Sequence, residues 1–164
     1  MAMDMFLKVG DIKGESEDGD SKHNGTFDIL AWSWGVSNSG TAHVGGGAGA
    51  GKANFQDISV TKWVDKASPI LMKYCSSGKQ FKEGVLTVRK AGGDNPLEYI
   101  IITMTDVIVT SLSTGGSGGE DRLTENCSLN FAAVKVEYQP QKPDGSADGG
   151  KIPWAMDIAA NEQK

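Results

Sequence analysis

The chain has 164 residues, of which 38% are hydrophobic and 22 are glycines, and its formal net charge is -5. This length suits one domain with a single core, and the acidic balance argues against a nucleic-acid partner, which would require a clustered surplus of Lys and Arg. No segment approaches the ~18 consecutive apolar residues of a membrane-spanning helix. Asp4 and Lys8 interrupt the apolar region that a signal peptide would need, so we expect a protein that is made and folded in the cytoplasm.

The first third of the chain has the period-two pattern of β-strands. Apolar residues alternate in "DMFLKVGDIKG", and a polar loop follows from Glu15 to Gly25. In "TFDILAWSWGVSNSG" the apolar phase set by Phe27 and Ile29 changes, which predicts a bulge near Ile29. In the second phase the residues predicted to face the core are Leu30, Trp32, Trp34 and Val36.

The next segment, "HVGGGAGAGKANF", has a spacing similar to that of a phosphate-binding loop, with Gly46 and Gly51 followed by Lys52. Such a loop also needs a Ser or Thr for magnesium after the lysine, and a helix whose N-terminus faces the phosphates. Here Ala53 follows Lys52, and the next residues alternate as in a strand. The pattern therefore favours a long glycine-rich loop between two strands, without nucleotide binding.

The rest of the chain combines one helix with further strands. "ASPILMKYCSSGK" predicts a helix at about residues 68–77, with Ser68 as N-cap, Pro69 in the first turn and Gly78 as the stop. "NFQDISVTKWV", "GVLTVRKA", "LEYIIITMT", "DVIVTSLST" and "RLTENCSLNFAAVKVEYQ" predict strands, the last with a bulge near Ala132. Residues of about 139–151 form a predicted flexible linker before a short strand in "IPWAMDI". We therefore expect one mainly β domain over residues 1–164: a small barrel of two packed antiparallel sheets, one lateral helix and an extended glycine-rich loop.

The residues that could bind metal or react do not have the spacing of a site. Cys75 and Cys127 lie in apolar patterns and are expected to be buried thiols, and His23 and His43 lie in loops without ligand spacing. We predict no metal and no cofactor.

The acidic residues near the second glycine loop, "STGGSGGEDR", do not indicate an active site either. We interpret Glu120, Asp121 and Glu125 as part of a solvated turn in which Arg122 pairs locally. With no catalytic constellation supported by the residues, we expect a protein that is not an enzyme.

Several motifs in order resemble the haemolysin-coregulated protein (Hcp) family, the tube subunits of bacterial type VI secretion. They run from Met1 to about Gln141, with a looser tail ending in "PWAMDI", and include "DMFLKVGDIKGES", "LAWSWGVSNSG", the glycine loop, "CSSGK", "VRKAGG" and "STGGSGGEDRLTEN" followed by "LNFA" and "YQPQ". The resemblance implies hexameric rings that stack into a tube, export by a contractile sheath without a signal peptide, a spike protein at the tip, and small effector proteins bound in the ring lumen. It implies no nucleic-acid partner and no insertion into a membrane.

The resemblance also implies roles for three groups of residues. If the tryptophans of "LAWSWGV" pack inward, strand alternation turns Ala31, Ser33 and Gly35 to the opposite face, which is small and mildly polar and would suit the lumen; an ordinary solvent-facing surface is the open alternative. The loop expected to contact the next ring consists of Gly45, Gly46, Gly47, Ala48, Gly49, Ala50 and Gly51. A second loop expected at ring-to-ring contacts consists of Gly115, Gly116, Ser117, Gly118 and Gly119.

A second class of function stays open at this point. A monomeric or dimeric β-barrel could bind a small ligand or a carbohydrate, with the glycine-rich loops as lids.

Overall fold

The computed structural model describes residues 3–41, 43, 51–90 and 95–164. In chain order its elements are β1 (Met3–Val9), β2 (Phe27–Ser33), β3 (Val36–Asn38), β4 (Ala53–Phe55), β5 (Ile58–Trp63), α1 (Ser68–Ser77), β6 (Gln80–Lys90), β7 (Leu97–Thr114), β8 (Thr124–Tyr138), β9 (Ile152–Asp157) and β10 (Glu162–Gln163). The mainly β fold with one helix, predicted from the alternation of apolar residues, is confirmed.

Six of the strands form a closed barrel. The neighbours around it are β8, β5, β2, β1, β6 and β7, and β7 pairs again with β8 to complete the circle. Every one of these pairings is antiparallel. The barrel is thus one continuous sheet closed on itself, and the two packed sheets of the sequence-based description are two sides of that sheet.

Two smaller elements are attached to the barrel. Strands β9 and β10 extend the sheet beyond β8, and β3 and β4 form a separate two-stranded ribbon. The ribbon packs on the barrel and on β9 through Trp34, Phe55, Phe131 and Trp154, whose rings lie 6.1 to 6.4 Å apart.

Apolar side chains fill the barrel from all six strands. The core contains residues that are almost fully buried, among them Leu7, Phe27, Ile58, Leu86, Ile102 and Leu129. Burying an aliphatic or aromatic side chain of this size contributes about 1.5–3 kcal/mol, so this interior holds the barrel together. The interior is a packed core.

The bulge predicted in β2 is confirmed. Ile29 pairs with Lys62 and Ala31 pairs with Thr61, so Leu30 is the extra residue of the strand. Trp32 and Trp34 pack against the core as predicted, but the prediction is wrong for Leu30 and Val36, which are 40% and 53% exposed. A bulge inserts a residue without a cross-strand partner, so Leu30 and Ala31 can both point outward.

Strand β7 is longer and less regular than predicted. The break expected between Thr105 and Asp106 does not end the strand, which runs over 18 residues. Asp106 has a φ of 54°, a left-handed conformation that Asp tolerates better than most residues, and the pairing with β8 continues on both sides of it. The burial pattern of β8 changes near Ala132 as predicted, but the register shift in this ladder lies between Val109 and Ser111.

Helix α1 begins and ends at the predicted residues. Gly78 ends it in a left-handed conformation, with φ of 69°, and its N–H donates to the carbonyl oxygen of Tyr74. Ala67 occupies the N-cap position, and Ser68 is already helical. The prediction of Ser68 as N-cap is therefore wrong. Its hydroxyl instead donates to the buried carboxylate of Glu125. Among the described residues, no helix has the length and apolar character required to cross a membrane.

The segment of 139–151, predicted as a flexible linker, makes defined contacts. The N–H of Gln139 donates to the carbonyl of Tyr99 at 2.9 Å, and its side-chain amide donates to the carbonyl of Gly149 at 3.0 Å. Gln141 and Ala147 form an isolated bridge. These bonds lead the chain into β9, where the predicted C-terminal strand is confirmed.

Candidate functional site

The outward faces of four neighbouring strands, β2, β5, β8 and β7, form a continuous surface of small, mostly polar side chains. In one row across the sheet, Ser33 pairs with Ser59, Ser59 with Ser128, and Ser128 with Ser111. A second row, two residues along each strand, consists of Ala31, Thr61, Asn126 and Ser113. We call this surface the small-residue wall; it consists of Ala31, Ser33, Ser59, Thr61, Ser111, Ser113, Asn126 and Ser128.

Strand alternation produces the wall. The neighbours of these residues along each strand, such as Val60, Cys127 and Leu129, are buried in the barrel. Because successive side chains of a strand point to opposite faces, the residues between them must point outward. The bulge at Leu30 restores this phase in β2, and it is the reason that Ala31 and Ser33 lie on the same face as Thr61 and Ser59.

Hydrogen bonds between strands hold the wall side chains close to the backbone. Thr61 Oγ1 donates to Asn126 Oδ1 at 2.7 Å, and the hydroxyls of Ser111 and Ser128 are in contact. Next to this row, Asp57 accepts hydrogen bonds from Thr110 Oγ1 at 2.7 Å and from Asn130 Nδ2 at 2.9 Å. The result is a wall with short side chains, neutral over most of its area.

The structure brings together two of the three predicted lumen residues on this wall. Ala31 and Ser33 are exposed on it, whereas Gly35 is half-buried between β2 and β3. The carbonyl of Gly35 accepts a hydrogen bond from the N–H of Gln56 at 3.0 Å, which places it where the barrel passes into the ribbon.

The β3–β4 ribbon and the second glycine-rich loop lie at opposite ends of the wall. The β3–β4 ribbon follows Ser33, at the end where Ser33 pairs with Ser59. Residues 115–119 join β7 to β8 at the other end, where Trp63 pairs with Thr124. All five residues of this second loop are exposed.

Most of the first glycine loop, Gly45 to Ala50, lies outside the described residues. Its last residue, Gly51, accepts a hydrogen bond from Asn38 Nδ2 at 2.6 Å, and a Cβ added at Gly51 would lie 2.5 Å from Ser39 Oγ. A side chain at this position would require the Ser39 hydroxyl to move. Lys52 is exposed and is followed by strand β4, so the helix that a phosphate-binding loop needs is replaced by a strand, as predicted.

A buried ion pair lies at the 115–119 end of the barrel, inside it. Lys62 Nζ donates to Glu125 Oε1 at 2.5 Å and to Asp65 Oδ1 at 3.0 Å, and Ser68 Oγ donates to Glu125 Oε1 at 2.6 Å. The side chains of Lys62 and Glu125 are 1% and 0% exposed. The interpretation of Glu125 as part of a solvated turn is therefore wrong, and sequence reasoning missed this pair because its two members are 63 positions apart.

The structure also gives the surroundings of Arg122 and of the two cysteines. Arg122 lies over the ring of Trp63, with 4.5 Å between the guanidinium carbon and the ring centroid. Cys127 is buried as predicted, and desolvation raises the pKa of its thiol to about 12. Cys75 is half-buried at the inner side of α1. Neither thiol is paired in a disulfide.

The polar loop that precedes β2 is tied to the outer face of β1 and β6. Arg89 lies on β6 and donates to Asp18 Oδ2 at 2.6 Å and to Asp4 Oδ2 at 3.1 Å. The hydrogen bond from Arg89 lowers the pKa of Asp18 below its ordinary value of 3.8. His23, also from this loop, is buried against Phe6, with ring centroids 4.3 Å apart.

Comparisons with known proteins place most of the chain in one family. The family model described as "Type VI secretion system effector, Hcp" matches residues 6–138. Protein hcp1 of Pseudomonas aeruginosa is 60% identical over 163 residues, which cover 99% of each chain.

Solved structures with the same fold include two that the chain covers almost completely. A structure of a type six secretion system protein has a TM-score of 0.89 and 34% identity, over 99% of this chain and all of the other. Hcp1 from Salmonella typhimurium has a TM-score of 0.81 and 39% identity, over all of both chains.

Proposed function

Because the chain belongs to the Hcp family of type VI secretion proteins, we propose that it is a ring-forming subunit of the type VI inner tube, with six copies in each ring and rings stacked end to end. The observation that carries this proposal is the small-residue wall, with the β3–β4 ribbon and the second loop (115–119) at its opposite ends. The role is structural and requires no chemical step, cofactor or metal.

A filled barrel cannot itself conduct cargo. Since side chains such as Phe27, Ile102 and Leu129 occupy the interior, a passage must lie between copies of the chain. A wall that borders such a passage should have short, neutral side chains that leave room for cargo. The outward faces of β2, β5, β8 and β7 have this character, and we propose that they line the lumen, with Ala31 and Ser33 in contact with effectors.

A closed ring needs two different surfaces on each subunit, because a head-to-tail contact joins one patch to another. Exposed large apolar side chains are available at several places around the barrel; they are Met3, Leu30, Val36, Ile70, Met72, Leu123, Tyr138 and Ile152. Ile152, on β9, is 60% exposed at the edge of the sheet extension. Edge strands and apolar side chains of this kind are typical of protein–protein contacts.

Stacking of rings in one direction brings one end of each subunit to the opposite end of another. The β3–β4 ribbon, whose strands flank the first glycine loop (45–51) in the sequence, and the second loop (115–119) lie at opposite ends of the wall, which fits such a contact. Glycine-rich backbone exposes hydrogen-bonding groups without bulky side chains and can follow a neighbouring surface closely. We propose that both loops act between rings and that a spike protein caps the finished tube.

Export follows from the same assignment. We propose that the subunit is cytoplasmic before firing, that a contractile sheath drives the tube out of the cell without a signal peptide, and that small effector proteins travel in the lumen. The alternative of a ligand-binding barrel with lid loops has less support, because the barrel interior is filled by core residues.

Light scattering coupled to gel filtration tests this proposal. The expected mass is about six times the 17.3 kDa of one chain, and negative-stain images should show rings with a central hole. A mass of one chain at micromolar concentration would contradict the ring. A ligand-binding monomer would give that result together with saturable binding of a small molecule.

A further inference from the structure

We propose that Asp20, His23 and Glu98 form a binding site for a divalent transition-metal ion, with Zn²⁺ as the representative ion. The site lies on the outer face of the barrel at β1, β6 and the start of β7. It does not border the small-residue wall, and the inference stands independently of the proposed tube function.

The donor atoms are already close together. One ligand atom from each of the three side chains lies within 4.8 Å of the other two. His23 Nε2 is 3.2 Å from Glu98 Oε1. Two ligands on a tetrahedral zinc ion, with bonds of ~2.0–2.1 Å, are separated by ~3.4 Å, so this pair needs almost no movement to bind one ion. Asp20 is exposed and can complete the set by a change of rotamer.

The histidine is held in place before any ion binds. Its ring is stacked on Phe6 with an interplanar angle of 8°, and its side chain is 7% exposed. Its backbone N–H donates to the carbonyl of Asp20 at 2.9 Å, and its carbonyl accepts from Thr26 Oγ1 at 2.6 Å. The turn places the residues of a D-x-x-H pair on one side, and the ring faces Glu98 on β7.

The charges around the site leave the two carboxylates available. Arg89, beside Glu98 in the β6–β7 ladder, has ion pairs with Asp4 and Asp18. Lys22 Nζ is 3.9 Å from Glu98 Oε1, but its side chain is 71% exposed and can turn into solvent when a cation binds. Asp20 accepts a hydrogen bond from the backbone N–H of Lys22 through Oδ1.

The chemistry of the three ligands selects the class of ion. One imidazole and two carboxylates suit Zn²⁺, Co²⁺ or Ni²⁺, whereas Mg²⁺ and Ca²⁺ prefer oxygen ligands alone. A cavity of about 280 Å³ adjoins His23 and Glu98, and Lys8, Thr26 and Glu83 are among its other lining residues. This cavity offers room for water as a fourth ligand. A bound ion would link the polar loop to β7 across 75 positions of the chain.

Calorimetric titration of the full-length, EDTA-treated protein with ZnCl₂ at pH 7.5 tests the site. We expect one Zn²⁺ per chain, at least tenfold weaker binding in Glu98→Gln and in His23→Gln, and a smaller loss in Asp20→Asn, which keeps the acceptor for Lys22 N–H. His43→Gln and Cys75→Ser are the matched controls, because they remove other potential ligands, and both should bind as the wild type does. Zinc at a hundredfold excess over its Kd should raise the Tm of the wild type by on the order of 5–10 °C and leave Glu98→Gln unchanged.

A second measurement follows the site directly. The imidazole signals of His23 in NMR spectra, assigned by their loss in His23→Gln, should shift on addition of zinc while those of His43 do not. The proposal is overturned if the wild type does not bind zinc, if Glu98→Gln binds with unchanged affinity, or if His43→Gln or Cys75→Ser abolishes binding. Should His23→Gln fail to fold, Glu98→Gln decides the question together with the NMR shifts, because the chain has two histidines and the signals that remain in His43→Gln are those of His23.

Discussion

Lys62 and Glu125 form an ion pair inside the barrel through Glu125 Oε1, whereas the buried Glu125 Oε2 has no hydrogen-bond partner among the described residues. Lys62 also donates to Asp65 and to the carbonyl of Trp63 at 2.8 Å, and Glu125 also accepts from Ser68. The network therefore fixes the start of α1 against the end of the barrel. Removing one member of a buried pair leaves the other charge in a low-dielectric interior, which is more costly than never having had the pair.

We predict that Lys62→Met lowers the free energy of unfolding by about 3–5 kcal/mol. The double variant Lys62→Met/Glu125→Leu should recover part of that loss, because Glu125 is then no longer a buried charge without a partner, while Asp65, whose side chain is 6% exposed, still lacks its lysine. Urea denaturation at fixed protein concentration measures both. Lys164→Met is the control: its pair with Glu162 is exposed, and its loss should cost at most about 1 kcal/mol. Equal stability of Lys62→Met and Lys164→Met would refute the prediction.

For single residues, the sequence predicts burial correctly where the alternation of side chains along a strand determines whether a residue points into the core. Trp32, Trp34 and Cys127 were placed correctly for that reason. It failed for Ser68 and Glu125, because a serine before a proline predicts an N-cap and an acid near a glycine loop predicts a solvated turn. Glu125 instead pairs with Lys62, Ser68 donates to Glu125, and only the fold brings these residues together.

Among the elements, β2 combines a core face and a wall face in seven residues. We predict that Ser33→Gln leaves the ring intact, because a side chain on the wall faces solvent, and weakens capture of an effector protein at least tenfold, because a longer side chain narrows the lumen. Co-purification of an effector with the ring and the mass of the ring are the two measurements. Ser77→Gln, exposed at the end of α1, is the control and should change neither. Loss of the ring in Ser33→Gln would show that the wall is a subunit interface.

The first glycine loop is expected to matter for assembly and little for the fold. Residues 46–50 contribute two methyl groups of side chain, and each doubling of loop length changes the closure free energy by only about 0.6 kcal/mol. We predict that deletion of Gly46 to Ala50 leaves the Tm of the ring nearly unchanged and abolishes tube formation and secretion. Thermal unfolding and electron microscopy measure the two effects. Tubes of normal length from the deletion variant, or a collapse of its Tm, would contradict the assigned role.

The sequence predicts most of the strands and the helix, but it does not predict which strands pair with each other. Alternation predicts β1, β5 and β8 because each strand has one face in the core and one outside. The alternation of apolar residues does not indicate that β8 pairs with both β5 and β7. The sequence therefore predicts a β-barrel but not the order of its strands. Likewise, the sequence predicts two strands where β7 is one, because hydrophobic periodicity does not indicate that a strand can continue through a residue with positive φ such as Asp106.

For the whole molecule, stability should depend on the attachment of the polar loop to the barrel through Asp18 and Arg89. The folded-state pKa of Asp18 is lowered, so its contribution is fully present above its unfolded value of 3.8 and is lost as pH falls through the lower folded value. We predict that Asp18→Asn is less stable than the wild type at pH 5–7, and that the difference shrinks below about pH 4. Chemical denaturation between pH 2 and pH 7 measures it.

The control for this prediction is Asp144→Asn, in an exposed turn whose carboxylate accepts from Ser146. Its side chain does not tie separate elements together, so its effect should be small at every pH. If the free energies of unfolding of Asp18→Asn and the wild type differed by the same amount from pH 7 to pH 2, the charge of Asp18 would not be what stabilises the contact with Arg89.

The ladder that closes the barrel also determines the order in which the chain can fold. Strands β6, β7 and β8 are neighbours in sequence and can pair as a meander, whereas β5 meets β8 only through partners such as Thr61 and Asn126, 65 positions apart. The pairing of β1 with β6 is also long-range, since Met3 pairs with Lys90. Because long-range pairing must overcome the entropy of closing a long loop before it gains contacts, we expect the β1–β6 and β5–β8 pairings to be the slow steps of refolding. Until the β5–β8 pairing forms, β8 exposes an unpaired backbone edge to other chains, so a newly synthesised subunit is most prone to aggregation in the interval before its barrel closes.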